Sequence, residues 1–298
     1  MRGRWVVRLV LGLAGGIVVA LAVDVARLGG TEAWFAARGI SPPYDAQGTL
    51  VDVGDRRLYL DCRGSGSPTV VLENGLGSGA GGWGFVLPEL AERTRVCAYD
   101  RAGIGRSEGA PRRPVSAYVE ELRALLAATG ERPPWVLVGM SLGGTHVRVF
   151  TARHPDEVVG LVFVDAYMPD VRLPSASRLP PAVSADFQAG FEATTRSIEA
   201  TEPIDWHASL AELASSSIAG RPVEVLSVPQ ELRLVHEQLD PDLQAVLIDE
   251  WETWILGLSP GRTRITIAER SGHIIQVDRP DLVIAAVERV LAVARSSP

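Results

Sequence analysis

The chain contains no lysine, and all 29 of its basic residues are arginine. This absence excludes the lysine of a P-loop, a lysine Schiff base and the Tyr–Lys pair of a dehydrogenase. Positive charge is also scarce overall, since the formal net charge is -7. Nucleic-acid-binding domains normally present a basic face, so we expect no nucleic-acid partner.

Long hydrophobic runs are rare, with one exception at the N-terminus. Three arginines among the first eight residues precede an uncharged run over Leu9–Val23. Fifteen residues of helix span about 22 Å, short of a hydrocarbon core of about 30 Å. The run becomes longer if it starts at Trp5 and the side chain of Arg8 reaches the membrane–water interface. Ala20 and Ala22 supply the small-x-small pattern of a signal-peptide cleavage site.

We therefore interpret residues 1–30 as a membrane anchor or a cleaved signal peptide, with a buried soluble helix as the weaker alternative. Both favoured interpretations put the remaining chain outside the cytoplasm, either anchored to the membrane or secreted. The membrane is then a partner only if the segment stays uncleaved. Residues 31–49 have the mixed composition of a linker.

Cysteine is nearly absent, and its two copies lie in strand-like segments. Cys62 is in "RRLYLDCRG" and Cys97 is in "TRVCAYD". In an oxidising compartment the two thiols can pair, whereas in the cytosol they would be ordinary buried residues.

Residues 50–298 alternate apolar, Val- and Leu-rich runs with amphipathic stretches. Buried strands that alternate with helices predict a doubly wound α/β fold with a mostly parallel sheet. The eight predicted strands cover residues 50–53, 57–62, 69–73, 95–99, 135–138, 159–164, 222–228 and 263–268.

Two segments interrupt this alternation. Residues 168–220, here the first cap segment, begin Pro- and Ser-rich and then have the pattern of short helices. Residues 229–259, the second cap segment, are strongly helical in pattern. Insertions of this kind cover the carboxyl ends of the strands, where such sheets bind ligands. The tryptophans of both segments are interpreted as packing residues, not as substrate contacts; they are Trp206, Trp251 and Trp254.

One glycine-rich turn has the outline of a dinucleotide-binding motif. Gly77, Gly79 and Gly82 follow a strand, and Asp100 ends a later strand about twenty residues on. The motif's first glycine should close the strand directly, yet three residues intervene. A dinucleotide-binding oxidoreductase is therefore the least favoured interpretation.

A second motif, Gly139-x-Ser141-x-Gly143, lies between a buried strand and a helix. A serine at such a sharp turn takes a strained backbone conformation that projects its Oγ. Small residues are needed on both sides because the strand and the helix pass close together, and the helix N-terminus favours a developing anion. The pattern predicts a nucleophile at Ser141.

A serine nucleophile needs a base, and the best-placed histidine is His273. It follows the last predicted strand, so its loop opens at the same sheet edge as the serine turn. His146 should point away from Ser141 on the following helix, and His154 is interpreted as a helix cap. The remaining two, His207 and His236, lie in the cap segments.

Four segments together resemble the α/β-hydrolase fold over residues 50–298: "LENGLG", "YDRAGIGRS", "GMSLGG" and "SGH", in that order. The resemblance implies a serine hydrolase that uses no cofactor and no metal ion. It implies an oxyanion hole made by the backbone N–H groups of Leu76 and Leu142, although Asn74 stands where the family usually has His. It also places the second strand beside the fourth, so that Cys62 and Cys97 would be neighbours able to form a disulfide.

The acid of the triad is less clearly marked. The family's acid normally follows the seventh strand, where the nearest carboxylate here is Glu231. Asp165 ends the sixth strand, and because adjacent strands lie about 4.8 Å apart it can reach the same imidazole. We favour Asp165 and keep Glu231 as the alternative acid; the order Ser141, Asp165, His273 is that of the fold.

The expected activity is hydrolysis of carboxylic esters, or of related acyl bonds in a small-molecule substrate, through an acyl-enzyme. The same triad serves amidases, aminopeptidases and carbon–carbon bond hydrolases, and these stay open as alternatives. A non-catalytic binding protein on this fold is a further alternative.

Overall fold

A computed structural model describes residues 35–41, 44–171, 173–228 and 239–296. The predicted membrane anchor or signal (1–30), the alternative acid Glu231 and His236 all lie outside the described residues. Within the described part, no helix has both the length and the apolar character that crossing a bilayer requires.

A single eight-stranded sheet organises the chain, in the order β1-β2-β4-β3-β5-β6-β7-β8. The β1–β2 and β2–β4 pairs are antiparallel, and all other pairs are parallel. All eight predicted strands are present, with ends within two residues of those predicted. The strands are β1 (Thr49–Asp52), β2 (Arg57–Arg63), β3 (Thr69–Glu73), β4 (Val96–Tyr99), β5 (Trp135–Met140), β6 (Val158–Val164), β7 (Val223–Ser227) and β8 (Thr263–Ile267).

Helices cover both faces of this sheet, as a doubly wound fold requires. Those described are α1 (Leu87–Ala91), α2 (Val115–Ala128), α3 (Leu142–Arg153), α4 (Pro181–Thr201), α5 (Trp206–Ala214), α6 (Pro241–Leu256), α7 (Ile275–Asp278) and α8 (Pro280–Ser296). Helix α2 shows why they form: its buried residues recur at helical spacing, and its end is followed by Gly130 at φ 82°. The mostly parallel α/β architecture with the α/β-hydrolase strand order confirms the predicted fold.

Two apolar cores lie on opposite faces of the sheet. Strand side chains alternate between them, so that Val71 and Leu137 join the core under α2 and α3. Val70 and Leu72 join the other core, under α1 and α8. Strands buried on both faces explain why the sequence shows continuous apolar runs here and no polar alternation.

The cap segments differ in one respect from the sequence-based expectation. The first cap segment was expected to contain short helices, but α4 runs for 21 residues. A third, small core joins the two cap segments, because Val183 of α4 packs with Leu243 and Leu247 of α6. Part of the second cap segment, residues 229–238, lies outside the described residues.

The described part of the predicted linker is docked on the body of the protein. Phe35 is buried and packs with Ile274 and Val277, which follow His273 in the chain. Tyr44 donates its hydroxyl to Asp61 Oδ2 at 3.0 Å. The linker therefore contributes packing, which its mixed composition did not predict.

Cys62 and Cys97 form a disulfide, as the resemblance implied. They are register partners in the antiparallel β2–β4 pair. The disulfide therefore ties the antiparallel edge of the sheet to its parallel part.

Candidate active site

Ser141 occupies a strained turn between β5 and α3. Its φ of 49° and ψ of -120° lie outside the regions that L-residues normally adopt. The close approach of strand and helix explains the flanking glycines, since a Cβ on Gly139 would lie 2.7 Å from the Gly143 carbonyl oxygen. The turn is held in place because the Ser141 N–H donates to Val164 O at 3.1 Å and Ser141 O accepts from Tyr167 N at 2.9 Å.

Asp165 stands directly after β6, beside the serine turn. Met140 and Val164 are register partners, so Ser141 and Asp165 leave adjacent strands at the same level. Asp165 also has a positive φ, 43°, and its backbone N–H donates to Leu226 O at 2.8 Å. Its carboxylate is buried and accepts from Val228 N at 3.2 Å, which fixes one oxygen and leaves the other directed elsewhere.

That second oxygen contacts the predicted base. Asp165 Oδ2 lies 2.6 Å from His273 Nδ1. Because an ionised carboxylate only accepts hydrogen bonds, the proton is on Nδ1 and the basic lone pair of the neutral imidazole is on Nε2. The structure thus brings Asp165 and His273 together, and Glu231 is outside the described residues.

The loop that presents His273 follows β8 at the carboxyl edge of the sheet. It turns through Arg270 at φ 60°, and Gly272 N donates to Asp278 Oδ2 at 2.8 Å. Strands β5, β6 and β8 point the same way, so their following residues share one sheet edge. Parallel pairing alone therefore carries Ser141, Asp165 and His273 to the same side of the molecule.

Leu142 and Leu76, the two predicted oxyanion donors, belong to segments that meet at the serine turn. Leu142 is the first residue of α3, so its N–H is one of the helix donors that have no partner within the helix. Leu76 lies in the loop after β3, here the oxyanion loop (residues 74–79). That loop touches the serine turn, because a Cβ on Gly75 would lie 3.2 Å from Ser141 Cβ.

A buried arginine that the sequence analysis did not single out holds the oxyanion loop. Arg101 pairs with Glu73 and with Glu202, each at 2.5 Å, and all three side chains are at most 1% exposed. Glu202 is the C-cap residue of α4, directly after its last residue, in the first cap segment. The sequence offered one signal for this cluster, a charged residue two positions after the buried strand β4. It could not identify the partners, because Glu73 and Glu202 are distant from Arg101 in sequence.

The electrostatics of this cluster follow from burial and mutual contact. Burial alone would raise the pKa of Glu202, but the charge and hydrogen bonds of Arg101 outweigh it and hold the pKa below its usual value. Burial and the neighbouring carboxylate of Glu73 raise the pKa of Tyr99, whose hydroxyl donates to Glu73. Glu202 is therefore held in its ionised form against the Arg101 guanidinium.

The other described histidines are not part of the site. His146 is buried beside Tyr118 in a small cavity also lined by Glu73, and its Nδ1 lies 3.2 Å from Leu142 O. Burial lowers the pKa of His146. His154 caps α3 as expected, with Nε2 3.1 Å from Glu120 Oε1. His207 is exposed on α5.

The dinucleotide interpretation is wrong, because Asp100 is not available to a ribose. It is 1% exposed and accepts from Ala80 N at 2.6 Å and from Arg106 N at 2.9 Å. Gly79 is needed for this packing, since a Cβ there would lie 2.2 Å from Asp100 Oδ1. The three glycines thus serve internal contacts: Gly79 packs on Asp100, Gly82 packs on Asn74, and Gly77 N donates to Glu202.

Potential metal ligands lie close together at one place in the part of the chain that the structure describes. There the potential ligands that lie close enough together are Cys62, Cys97 and Glu131. Both sulfur atoms are bonded to each other, so this group offers no thiolate to a metal.

Comparisons with known proteins agree with this architecture. A family model described as alpha/beta hydrolase fold matches residues 68–202. An AB hydrolase superfamily protein of Gibberella zeae is 25% identical over 80% of this chain and 92% of its own length. A thermophilic esterase of Thermogutta terrifontis superposes with a TM-score of 0.55 at 20% identity, covering 84% of this chain and 99% of that one. The chain has the α/β-hydrolase fold, and its residues 68–202 match the family model.

Two further similarities differ in how much of each chain they cover. The structure of a membrane phospholipase A superposes with a TM-score of 0.56 at 23% identity and covers 99% of both chains. The human (lyso)-N-acylphosphatidylethanolamine lipase is 33% identical over 38% of this chain and 35% of its own length. The chain also spans less than half the length of two Bacillus subtilis proteins and one Hormonema carpetanum protein that it matches.

Proposed function

We propose that the protein is a serine hydrolase that cleaves carboxylic esters through an acyl-enzyme. The observation that supports this most directly is the 2.6 Å contact between Asp165 Oδ2 and His273 Nδ1. It lies at the sheet edge where Ser141 takes its strained conformation. An imidazole oriented by a buried carboxylate beside a serine at a strand-to-helix turn is the arrangement that activates a serine hydroxyl.

In this mechanism, Ser141 Oγ forms a bond to the substrate carbonyl carbon while its proton passes to His273 Nε2. The carbonyl oxygen becomes an oxyanion that accepts from the N–H groups of Leu76 and Leu142. When the ester bond breaks, the alcohol leaves with the proton from His273. Water then loses a proton to the same nitrogen and attacks the acyl carbon. As the bond to Ser141 Oγ breaks and the acid is released, that proton passes from His273 to Oγ and restores the serine. Asp165 fixes the imidazole tautomer throughout.

An ester substrate is favoured over an amide by the names of relatives. The human relative is called a lipase, and one structural neighbour is called an esterase. A further relative, from Azorhizobium caulinodans, is called a carbamate hydrolase and is 32% identical over 38% of this chain. These names describe those proteins, and together they support acyl transfer to water as the reaction class.

The location that we propose is outside the cytoplasm, attached to a membrane through residues 1–30 or secreted after their removal. The Cys62–Cys97 disulfide supports this proposal, because disulfides persist mainly in oxidising compartments. Cell fractionation followed by N-terminal sequencing tests it. Recovery of the protein in the cytosolic fraction with free thiols would contradict it.

The function is tested with a fluorophosphonate probe and a p-nitrophenyl ester. We expect the folded protein to be labelled and to release p-nitrophenol, and Ser141→Ala to abolish both. The matched control is Ser259→Ala, because Ser259 is also fully buried but precedes β8 at the opposite sheet edge. No labelling of the folded wild type would favour a binding protein on this fold.

A further inference from the structure

The direction of the Leu76 N–H is determined by the peptide group that it shares with Gly75. In a trans peptide the C=O and the N–H point to opposite sides. Arg101 Nη2 donates to Gly75 O at 2.7 Å, which holds that carbonyl on the Arg101 side of the oxyanion loop. The Leu76 N–H is therefore held on the opposite side.

The guanidinium of Arg101 is fully used in this task. Arginine has five N–H donors in a fixed planar fork. Two of the five hydrogen bonds go to loop carbonyls, and three go to carboxylate oxygens. The bonds are Nη1 to Asn74 O at 2.6 Å, Nη2 to Gly75 O at 2.7 Å, Nη1 to Glu73 Oε1 at 2.5 Å, Nη2 to Glu202 Oε1 at 2.5 Å and Nε to Glu202 Oε2 at 2.9 Å.

Glu202 holds the same loop from its other end. Its Oε1 accepts from Gly77 N at 2.7 Å in addition to Arg101. The peptide groups on both sides of Leu76 are thereby held by one side chain from the body and one from the first cap segment. A backbone hydrogen bond from Ser78 N to Gly75 O at 3.2 Å closes the turn between them. A contact across 125 residues of sequence joins the cap to the loop that would bind the oxyanion.

Stability alone is a weak explanation for this cluster. Burying charged groups costs desolvation, and replacing a buried ion pair by apolar residues of similar volume is often neutral or stabilising. An apolar cluster would fill the space but would offer no donor to the carbonyls of Asn74 and Gly75. The hydrogen bonds to the loop are what the charged groups add.

We propose that Arg101 and Glu202 are positioning residues for the oxyanion hole: Arg101 sets the orientation of the Gly75–Leu76 peptide, and Glu202 makes that orientation depend on the docked cap. This inference deepens the proposed function and rests on it. Its consequence is that the cap influences the chemical step as well as substrate binding.

The test variant is Glu202→Gln, which keeps the side-chain shape but removes the charge that holds Arg101. The matched control is Glu121→Gln. Glu121 also forms largely buried ion pairs, with Arg56 at 2.6 Å and with Arg113 at 2.7 Å, but it lies on α2 and its hydrogen bonds go to these arginines and not to the oxyanion loop. Both variants are compared with the wild type by circular dichroism and thermal unfolding before kinetics are measured.

For Glu202→Gln we expect kcat for a p-nitrophenyl ester to fall by about tenfold or more, towards the 10²–10³ of a lost oxyanion donor, with KM little changed. The preference for the oxygen ester over its thiono analogue should also shrink. Sulfur accepts hydrogen bonds from the Leu76 and Leu142 N–H groups more weakly than oxygen does, so the preference depends on how well these donors are placed. A merely destabilised protein would keep that preference. Glu121→Gln should retain the wild-type kcat and the wild-type preference for the oxygen ester.

Hydrogen exchange supplies a measurement that does not need activity. We expect the amides of residues 74–79 to exchange faster in Glu202→Gln and to be unchanged in Glu121→Gln. Unchanged exchange, or a wild-type kcat and thiono preference in an active Glu202→Gln protein, would overturn the inference. A wild type that neither turns over ester nor reacts with fluorophosphonate would overturn the proposed function instead, and the exchange result would still decide how the loop is held.

Discussion

The body of the sheet and the cap segments are stabilised in different ways. Every residue of β3 and β5 is buried, and these strands pack between two large apolar cores. The cap segments share a small apolar core with each other, and some of their apolar residues, such as Ile198, Trp206 and Ile255, join one core of the body. Their connections to the body include polar contacts, such as Glu202 with Arg101 and Asp170 with Arg148.

This difference separates two tasks. Apolar strands in fixed register determine where Ser141, Asp165 and His273 stand, so the proposed reaction centre belongs to the body. The cap segments join the body through apolar residues at the margin of one core and through a few ionic groups, and they carry none of these three residues. We therefore expect body variants to alter the chemical step and most cap variants to alter stability locally or substrate range, with Glu202 as the exception.

The largest predicted effect in the body is that of Asp165→Asn. The amide keeps the shape of the side chain but no longer fixes the imidazole tautomer, so kcat for a p-nitrophenyl ester should fall about 10⁴-fold. Steady-state kinetics measure this. A mild loss here together with a severe loss in Glu231→Gln would transfer the role of the acid to Glu231.

The next effect concerns the edge of the body. Replacing Cys62 and Cys97 together by Ser should lower the free energy of unfolding by about 2–4 kcal/mol, because the unfolded chain loses a cross-link. Urea unfolding with and without a reductant measures it, and the reductant should not affect the double variant. The value of kcat should stay the same, since β2 and β4 lie beyond β3 from the serine turn.

A smaller effect is expected where the cap meets the body. Asp170 accepts from Arg148 Nη1 at 2.6 Å and from Nη2 at 2.8 Å. Asp170→Asn should cost about 1–3 kcal/mol, because it leaves a charged group that is buried without its full partner. Limited proteolysis should then cut the first cap segment faster while fluorophosphonate labelling persists. Asp281→Asn, which breaks an equally bidentate but exposed pair with Arg279, should change neither.

The smallest effect is a pH dependence in the body. Burial lowers the pKa of His146, so the unfolded chain, with a histidine pKa near 6.5, binds this proton more readily. The free energy of unfolding should therefore fall as pH drops below about 6.5, by up to about 1.4 kcal/mol per unit, until the folded-state pKa is reached. His146→Gln should lose this component in urea unfolding at several pH values. A slope equal to that of the wild type would contradict the prediction.

The sequence predicted the body well because its signals are local. Continuous apolar runs define β3 and β5, and the glycines around Ser141 mark a turn whose crowding the structure explains. The placement of Asp165 required only the strand order, since a residue after β6 stands beside one after β5.

The cap and the Arg101 cluster could not be predicted in the same way. The 21 residues of α4 carry few buried side chains, so periodicity did not reveal one long helix. Glu202 and Arg101 are 101 positions apart, and a single sequence contains no signal that pairs two charges at that distance. The docking of Phe35 was also missed, because its packing partners Ile274 and Val277 are more than 200 positions away in the sequence.

The segment immediately after α4 has a practical consequence for exchanging caps between relatives. Beyond Glu202, the backbone is hydrogen-bonded to the body. Arg113 N donates to Pro203 O at 3.0 Å, and Asp205 N donates to Arg113 O at 2.8 Å. A chimaera should therefore be joined on the N-terminal side of Glu202. Joined there, a foreign segment that keeps an acidic partner for Arg148 can replace residues 168–201 while Glu202 retains its contacts with Arg101 and Gly77. A junction after Asp205 would replace Glu202 itself.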